Sequence, residues 1–318
     1  MIQLLKGDCL IESDKIENGS VDLILTDLPY GNMNTDGGRK LGINGWDLAI
    51  EPKKVYDIAN RILRKNGKMI LFSQEPYTTK LITEAIPNIP FGYRATWEKD
   101  NFAVALGANK NMVSFTEDVL IFSKPSPKLD FNKSNPLREL MIKYVDKYSK
   151  DYLIELFENE GRYSSEQSAR VHASYKFGFN GGFRIDLMTE SLYNYLTDFI
   201  EFEETYIELK TVYDLHHEKV KEELNEKYPS TFNLWEGNKY KSNILKYKKD
   251  YDGHHPTQKP VLLLEDLIKT FSNEGDLVVD LTMGSGSTLV ACKNTNRNGI
   301  GIEKDPQYYA VAVARVDG

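Results

Sequence analysis

The chain has 318 residues, 41% of them hydrophobic, and its 40 Lys plus Arg against 47 Asp plus Glu leave a formal net charge of -7. That is enough for one large domain or two ordinary ones with a sizeable core, and it excludes wholesale disorder. Cys9, Cys292 and five scattered histidines exclude a disulfide framework and a four-ligand zinc site, so no metal is expected; no apolar run approaches the roughly 18 residues of a membrane span, MIQLLKGD lacks a signal-peptide layout, and a cytoplasmic protein is expected.

Taken in order, Ile2 to Lys6 is a short strand candidate. Val21 to Thr26 is a continuous apolar run ending at a turn, the pattern of a strand buried on both faces of a parallel sheet. A helix is predicted from Pro52 to Arg64, with Val55, Ile58, Ala59 and Ile62 at helical spacing and Gly67 just beyond its end. Lys68 to Phe72 reads as a second buried strand, Pro76 to Ile86 as a helix, and Tyr93 to Trp97 and Asp118 to Phe122 as further strands. After Lys124 the stretch PSPKLDFNKSNP has the composition of a linker. Helical text over Leu137 to Asn159, a break over Glu160 to Arg184 and an acidic amphipathic stretch from Thr189 to Lys227 follow. From Thr257 the alternation resumes, with a helix over Pro260 to Phe271, a strand over Asp276 to Asp280, a Gly-rich turn, a helix to about Asn296, a strand over Gly299 to Glu303 and a last helix from Asp305. Residues 1–130 and 251–318 are therefore expected to build one α/β sheet around an inserted, mainly helical module at 131–250.

Two strand ends carry unusual chemistry. Asp27-Leu28-Pro29-Tyr30 follows the first buried strand, and ligands of open α/β sheets bind outside the carboxyl ends of strands. Asp27 and the carbonyl of Leu28 or Pro29 suit the two hydrogens of an exocyclic amine, and Tyr30 offers a face for a planar ring. The plainer reading is that the tetrapeptide only turns the chain. The second strand end is Asp280 to Thr288, DLTMGSGST, where glycines admit a close ligand and the helix N-terminus favours a negative group. No G-K-[ST] follows, and Leu289 stands where a dinucleotide fingerprint has its third glycine. Glu303 ends the next strand about twenty residues on, where an acid can take both hydroxyls of a ribose, which points to a nucleoside-containing cofactor. The plainer reading is a tight turn with an exposed acid beyond it.

The ordered series Gly7-Asp8-Cys9-Leu10, Asp27-Leu28-Pro29-Tyr30-Gly31, Trp97-Glu98-Lys99, His255-Pro256-Thr257-Gln258-Lys259-Pro260, Asp280 to Thr288 and Gly301-Ile302-Glu303-Lys304-Asp305 resembles the β-class amino-DNA methyltransferases of phages and bacterial restriction-modification systems. The likeness covers residues 1 to about 130 and 235 to 316, and the early DLPY with the late GSGS fits that class's motif order. It implies a Rossmann-like class I methyltransferase fold with a mostly parallel seven-stranded sheet and circularly permuted motif order. It further implies methyl transfer from S-adenosylmethionine to the amine of a base flipped out of duplex DNA, without metal. Asp27, Leu28, Pro29 and Tyr30 would be catalytic. Asp280, Met283, Gly284, Ser285 and Gly286 would cradle the methionine part, Glu303 the ribose and Asp8 the adenine amine, with Cys9, Asp27, Thr257 and Lys304 also in the cofactor set and Lys259 beside the methionine carboxylate. The chain departs from the usual D-P-P-Y at Leu28 and from D-P-F-x-G-S-G-T-T at Leu281, Thr282, Met283 and Ser287, which bears on fine positioning.

A pI near 5.4 argues against DNA only as an average, because residues 185–228 alone carry -8. That segment is expected to face away from phosphates, as a helical hairpin or an arm toward a second copy of the chain. Asp151 to Gly161 and Ser164 to Ala173 read as two short helices around a turn, with Arg162, Arg170, Lys176 and Arg184 as DNA candidates. Lys239, Lys241, Lys246, Lys248 and Lys249, interleaved with Tyr240 and Tyr247, form a second candidate clamp, or else a solvated loop. His216 and His217 are expected on the surface. Adenine N6 is the expected target, with cytosine N4 and a non-catalytic DNA-binding protein on a methylase scaffold as alternatives. Double-stranded DNA, a homodimer partner and a cognate restriction endonuclease are the expected partners.

Overall fold

Residues that alternate between two apolar layers make the framework, in a computed structural model that describes residues 1–31, 35–36, 39–40, 49–103, 109, 112–126, 130–132, 134–179, 184–251 and 258–318. The first stretch gives strand β1 (Ile2–Lys6), helix α1 (Cys9–Glu12), strand β2 (Val21–Asp27), a small ladder of β3 (Thr35–Asp36) with β4 (Arg39–Lys40), α2 (Pro52–Ile62), β5 (Leu63–Ser73), α3 (Tyr77–Thr83), β6 (Phe91–Ala103) and β7 (Ser114–Ser123). Five helices follow: α4 (Pro136–Tyr148), α5 (Lys150–Asn159), α6 (Glu166–Phe177), α7 (Glu190–Leu196) and α8 (Tyr206–Lys227). The chain ends with β8 (Ile244–Lys246), α9 (Val261–Phe271), β9 (Leu277–Asp280), α10 (Ser287–Asn294), β10 (Asn298–Glu303) and α11 (Pro306–Asp317).

The main sheet has the order β1-β10-β9-β2-β5-β7-β6-β8, parallel from β1 through β5, antiparallel at β7 and parallel again between β6 and β8. Eight strands stand where seven were expected. In β2, Ile24 packs into one layer with Val55, Tyr56 and Ile62 of α2, while Leu23 and Leu25 pack into the other with Leu264, Leu267 and Ile268 of α9. A strand covered on both faces reads as an unbroken apolar run for this reason. The topology carries β2 and β9 side by side, so their carboxyl ends share one edge of the sheet, as the two-ended sheet reading requires.

Two boundaries differ from expectation. Helix α2 runs straight into β5 without a turn at Gly67: Val21 already pairs with Leu63, and the register shifts before Leu23 pairs with Lys68. Gly67 lies inside the strand, where a Cβ would stand 2.9 Å from the Arg64 carbonyl oxygen. The second is the end of the inserted module. The chain divides into Met1–Pro127 with Tyr228–Gly318, and Lys128–Lys227. Residues 228–250 therefore go with the sheet and not with the module, because Ile244–Lys246 pairs with Thr96–Glu98, Leu245 is buried in the sheet core and the Trp97 indole donates to the Tyr247 carbonyl at 2.8 Å.

The helical unit has its own core of Met141, Tyr144, Phe157, Ala173, Phe177 and Leu196 with their neighbours. Asn135 caps α4 through the Leu137 amide with Pro136 at the first helical position, and Ser149, at φ +66°, ends α4 and begins α5. Gly178, at φ +71°, closes α6. The 22-residue α8 buries only Leu209. No described helix is long and apolar enough to cross a membrane.

Candidate active site

The turn after β2 opens onto a nearly closed set of charges. Asp27 ends the strand; its Oδ1 accepts the Tyr30 hydroxyl at 2.7 Å and its Oδ2 accepts the Lys259 ammonium at 2.5 Å. The same ammonium lies 2.8 Å from Oε1 of Glu117, the Tyr30 hydroxyl lies 3.0 Å from that oxygen, and Lys99 holds Oε2 of Glu117 at 2.7 Å. The side chains of Lys99, Glu117 and Lys259 are 3%, 6% and 9% exposed and that of Asp27 24%, so this is a balanced set of two acids and two lysines out of bulk water. Tyr30 also packs against the Tyr77 ring at 5.9 Å, and Leu28 turns its side chain into the core, leaving its backbone for any ligand.

Burial drives the proton affinities here, and pairing corrects it. Burial, reinforced by the Glu117 charge, raises Asp27 above the ordinary carboxylate value against the pull of Lys259. Burial would raise Glu117 too, but Lys259 and Lys99 outweigh it and hold that carboxyl below its ordinary value. Burial works against the Lys259 ammonium, and Asp27 with Glu117 more than compensates. Burial followed by the two acids pushes the Tyr30 phenol well up. The acids titrate as members of one set.

The second turn is tied to the first. Asp280 ends β9, and its carboxylate points inward. Oδ1 accepts the Thr26 hydroxyl at 2.8 Å and the Thr282 amide at 3.1 Å, and Oδ2 accepts the Thr288 hydroxyl at 2.6 Å. The Thr282 hydroxyl lies 2.9 Å from that of Thr26 and donates to the main-chain carbonyl of Asp27 at 2.9 Å. Asp280, 4% exposed, thus turns its carboxylate into the turn and holds it in shape. Gly284 at φ +52° and Gly286 at φ +81° shape the turn, and a Cβ on Gly286 would sit 3.0 Å from the Ala312 methyl. Met283 is buried in a small cluster with Leu289 and Ala312, and its sulfur fills the space beside Gly301. Ser285 is engaged by Arg315, whose guanidinium bonds its carbonyl at 2.9 Å and its hydroxyl at 3.0 Å.

Glu303, ending β10, accepts the Gly284 amide at 2.9 Å and the Asp305 amide at 2.7 Å, and burial raises its pKa against both. Each oxygen keeps a lone pair for a further donor. Asp8 caps α1 through the Leu10 amide at 3.0 Å and meets Lys304 at 3.1 Å; burial opposes its charge, but these partners hold the carboxyl below its ordinary value. Cys9 lies in the core with its thiol pushed up to about 12 by burial, so only its backbone is open to a ligand. Thr257 lies outside the described residues. Its neighbour Gln258 has both side-chain amide atoms buried without a partner among the described residues. Among the described residues no cluster of His, Cys, Asp and Glu could hold a metal ion.

Sequence reasoning missed Glu117 and gave Lys99 no role. Glu117 stands in phase with Val119 and Ile121 along β7, and Lys99 in phase with Trp97 and Ala95 along β6. A lone charge on the apolar phase of a strand was the available signal.

The DNA candidates separate by environment. Within the helical unit Arg170 is exposed on α6, Arg184 pairs with Asp186 at 2.9 Å over the Tyr175 ring, Lys176 donates to the Leu187 carbonyl at 3.1 Å, and Arg162 pairs with Glu160. In the sheet unit Lys239, Lys246 and Lys248 are exposed, Lys246 lying 3.4 Å from Glu98, whereas Lys241 is bound to Asp266 at 2.6 Å and Lys249 donates to the Phe102 carbonyl at 3.2 Å. His216 and His217 are half-buried against Phe131 and Tyr213, not solvated as expected.

A family model described as DNA methylase matches residues 21–314. The Type II methyltransferase M.HpaI of Haemophilus parainfluenzae is 49% identical over 63 residues, 20% of this chain and 20% of that protein. The first curated relatives are matched over only 20% to 30% of their own length. The DNA adenine methyltransferase YhdJ of Escherichia coli (strain K12) is 25% identical over 318 residues, 99% of this chain and 82% of that protein. Among solved structures, the complex of M1.HpyAVI with SAM shares 18% identity at a TM-score of 0.53, with both chains fully covered (100%), which is a likeness of fold.

Proposed function

The chain belongs to the DNA methylase family, and from that premise we propose that it transfers a methyl group from S-adenosylmethionine to the N6 amine of an adenine flipped out of double-stranded DNA. One observation carries the reading: the Thr282 hydroxyl holds the Asp27 carbonyl at 2.9 Å, so the turn suited to an amine and the turn suited to a nucleoside cofactor are two sides of one crevice. Chemistry at the Asp27 side thus takes place beside whatever the glycine turn holds.

The residues fit such a cofactor. Glu303 at the end of β10 suits two ribose hydroxyls, Asp8 suits an adenine amine, and Gly284 and Gly286 admit a close approach. The unpartnered amide of Gln258 sets a donor beside an acceptor, which matches the carboxylate and ammonium of an amino-acid end. When bound, the cofactor supplies a sulfonium methyl whose bond to sulfur breaks, with the electron pair left on sulfur, as the amine nitrogen forms its new bond to carbon. Asp27 orients the amine by accepting one of its hydrogens and is the first acceptor for the proton that nitrogen then loses; burial, by raising its proton affinity, suits it to both. Tyr30 sits beside Asp27, where its ring can support a base taken out of its stack, a cost of about a few kcal/mol.

Cytosine N4 presents a similar amine beside a ring nitrogen, and Asp27 alone does not choose between them. The test is incubation of unmethylated genomic DNA with the purified chain and S-adenosylmethionine, followed by nucleoside analysis. N6-methyladenine is expected. N4-methylcytosine overturns the adenine assignment and keeps the transfer, and no methylated nucleoside overturns both in favour of a binding protein.

A further inference from the structure

Asp27 is not vacant in this structure. Both of its oxygens already accept a bond, one from the Tyr30 hydroxyl and one from the Lys259 ammonium, so an amine that binds there competes with these groups for the carboxylate's charge. Each has the same second acceptor within reach, since Oε1 of Glu117 lies 2.8 Å from the Lys259 nitrogen and 3.0 Å from the Tyr30 oxygen. Building on the proposed methyl transfer, we propose that Glu117 is a positioning residue: it receives Lys259 and Tyr30 as the substrate amine takes Asp27, so that the catalytic carboxylate is freed without stranding a buried cation.

Three features fit Glu117 to this task. It is fixed, because Lys99 grips its other oxygen at 2.7 Å, the Lys99 ammonium stands 5.1 Å over the Trp97 ring, and the Trp97 indole is tied to the Tyr247 carbonyl. It is buried in β7 on the strand's apolar phase, so its negative charge is little screened by water. And it already holds the Lys259 ammonium at 2.8 Å alongside Asp27, so the shift it requires of the ammonium is from two acceptors to one. A lysine left on Asp27 would compete with the amine for the carboxylate and would face both a sulfonium and a nitrogen gaining positive charge. Among the described residues, Lys249, Lys99 and the acids Asp27 and Glu117 are the charges around Lys259, and of these Glu117 is the one that can take it up as Asp27 is given over.

The experiment removes Glu117 without unbalancing the cluster. Glu117→Gln alone leaves two buried lysines on one acid and is at risk of misfolding, so the informative variant is Lys99→Met with Glu117→Gln, which is neutral. With the full chain, S-adenosylmethionine binding is measured by calorimetry and methyl transfer to genomic DNA at saturating cofactor. The expected result is cofactor affinity within about threefold of wild type, which also reports the fold, and transfer slowed at least tenfold. Adding Lys259→Met to that background should raise the rate again, since the competing ammonium is gone, whereas Lys259→Met in the wild-type background should not raise it. Transfer by the double variant at the wild-type rate, or a slow double variant that Lys259→Met fails to speed, overturns the role of Glu117 and leaves the methyl transfer standing. A wild-type chain that transfers no methyl group overturns both.

Discussion

Thr288, in the first turn of α10, donates its hydroxyl to Oδ2 of Asp280 at 2.6 Å, closing a set of three donors on a carboxylate that is 4% exposed. Even so, burial outweighs the donors and pushes Asp280 from 3.8 up to about 6. The folded chain therefore prefers the protonated acid, and that contribution to stability is fully present below the unfolded value and lost as pH rises through about 6. Asp280→Asn should gain on the wild type by about 2–3 kcal/mol of unfolding free energy between roughly pH 4 and pH 8. Denaturant melts of both proteins across that range check it, and a constant difference would show that Asp280 titrates as an ordinary acid.

Asp27→Ala removes the acceptor for the amine and leaves every group proposed for the ribose and adenine in place. Transfer should drop by about a hundredfold or more, the size of effect seen on removing one preorganised polar group. Cofactor affinity should stay within a few fold. Methylation retained in this variant would sink the site assignment.

Gly286→Ala meets two obstacles, a backbone at φ +81° and a Cβ only 3.0 Å from the Ala312 methyl. Gly275→Ala meets only the first, at φ +84° with nothing within 4 Å of the new Cβ. The Gly275 variant should cost about 1 kcal/mol and the Gly286 variant roughly 1–3 kcal/mol more. Thermal melts compare the two, and only Gly286→Ala should also weaken cofactor binding.

Lys239 and Lys248 are exposed members of the second lysine cluster, Lys246 is exposed beside Glu98, and Lys241 is bound to Asp266. Replacing Lys239 and Lys248 by Gln should flatten the salt dependence of DNA affinity by about 0.9 for each phosphate no longer neutralised. Lys241→Met should instead lower the melting temperature and leave the slope alone, because it strands a buried acid. Equal slopes in all three proteins would remove this cluster from the DNA surface.

Strands buried on two faces were legible in sequence because nothing polar interrupts them: β2, the core of β5, β9 and β10 all announce themselves. Strand β8 was not, since it is three residues long at the sheet margin and only Leu245 is buried. Asp27 and Glu303 could be read from their places at strand ends, and Gly286 from the glycine turn between β9 and α10. Glu117 and Lys99 could not be paired in advance, because they meet through the antiparallel register of β6 on β7, which no local pattern encodes. Asp280 was placed among cofactor ligands, yet its oxygens are spent on three threonines that its sequence neighbourhood only partly supplies: Thr26 lies 254 residues away.

Strand β10 lies between β1 and β9, with Ile2 facing Gly299 on one side and Leu277 facing Asn298 on the other. The Met1 ammonium is bonded to Asn298, 297 residues later. At synthesis rates of about 5–20 residues per second, β1 waits on the order of 15 to 60 s for the strand that gives it a place in the sheet. Asp8, Gly284 and Glu303 come together only at that moment. A nascent chain can therefore shape the Asp27 side of the crevice against β5 before the side built by Asp8, Gly284 and Glu303 exists, and the proposed cofactor cradle takes form only once β10 has been made.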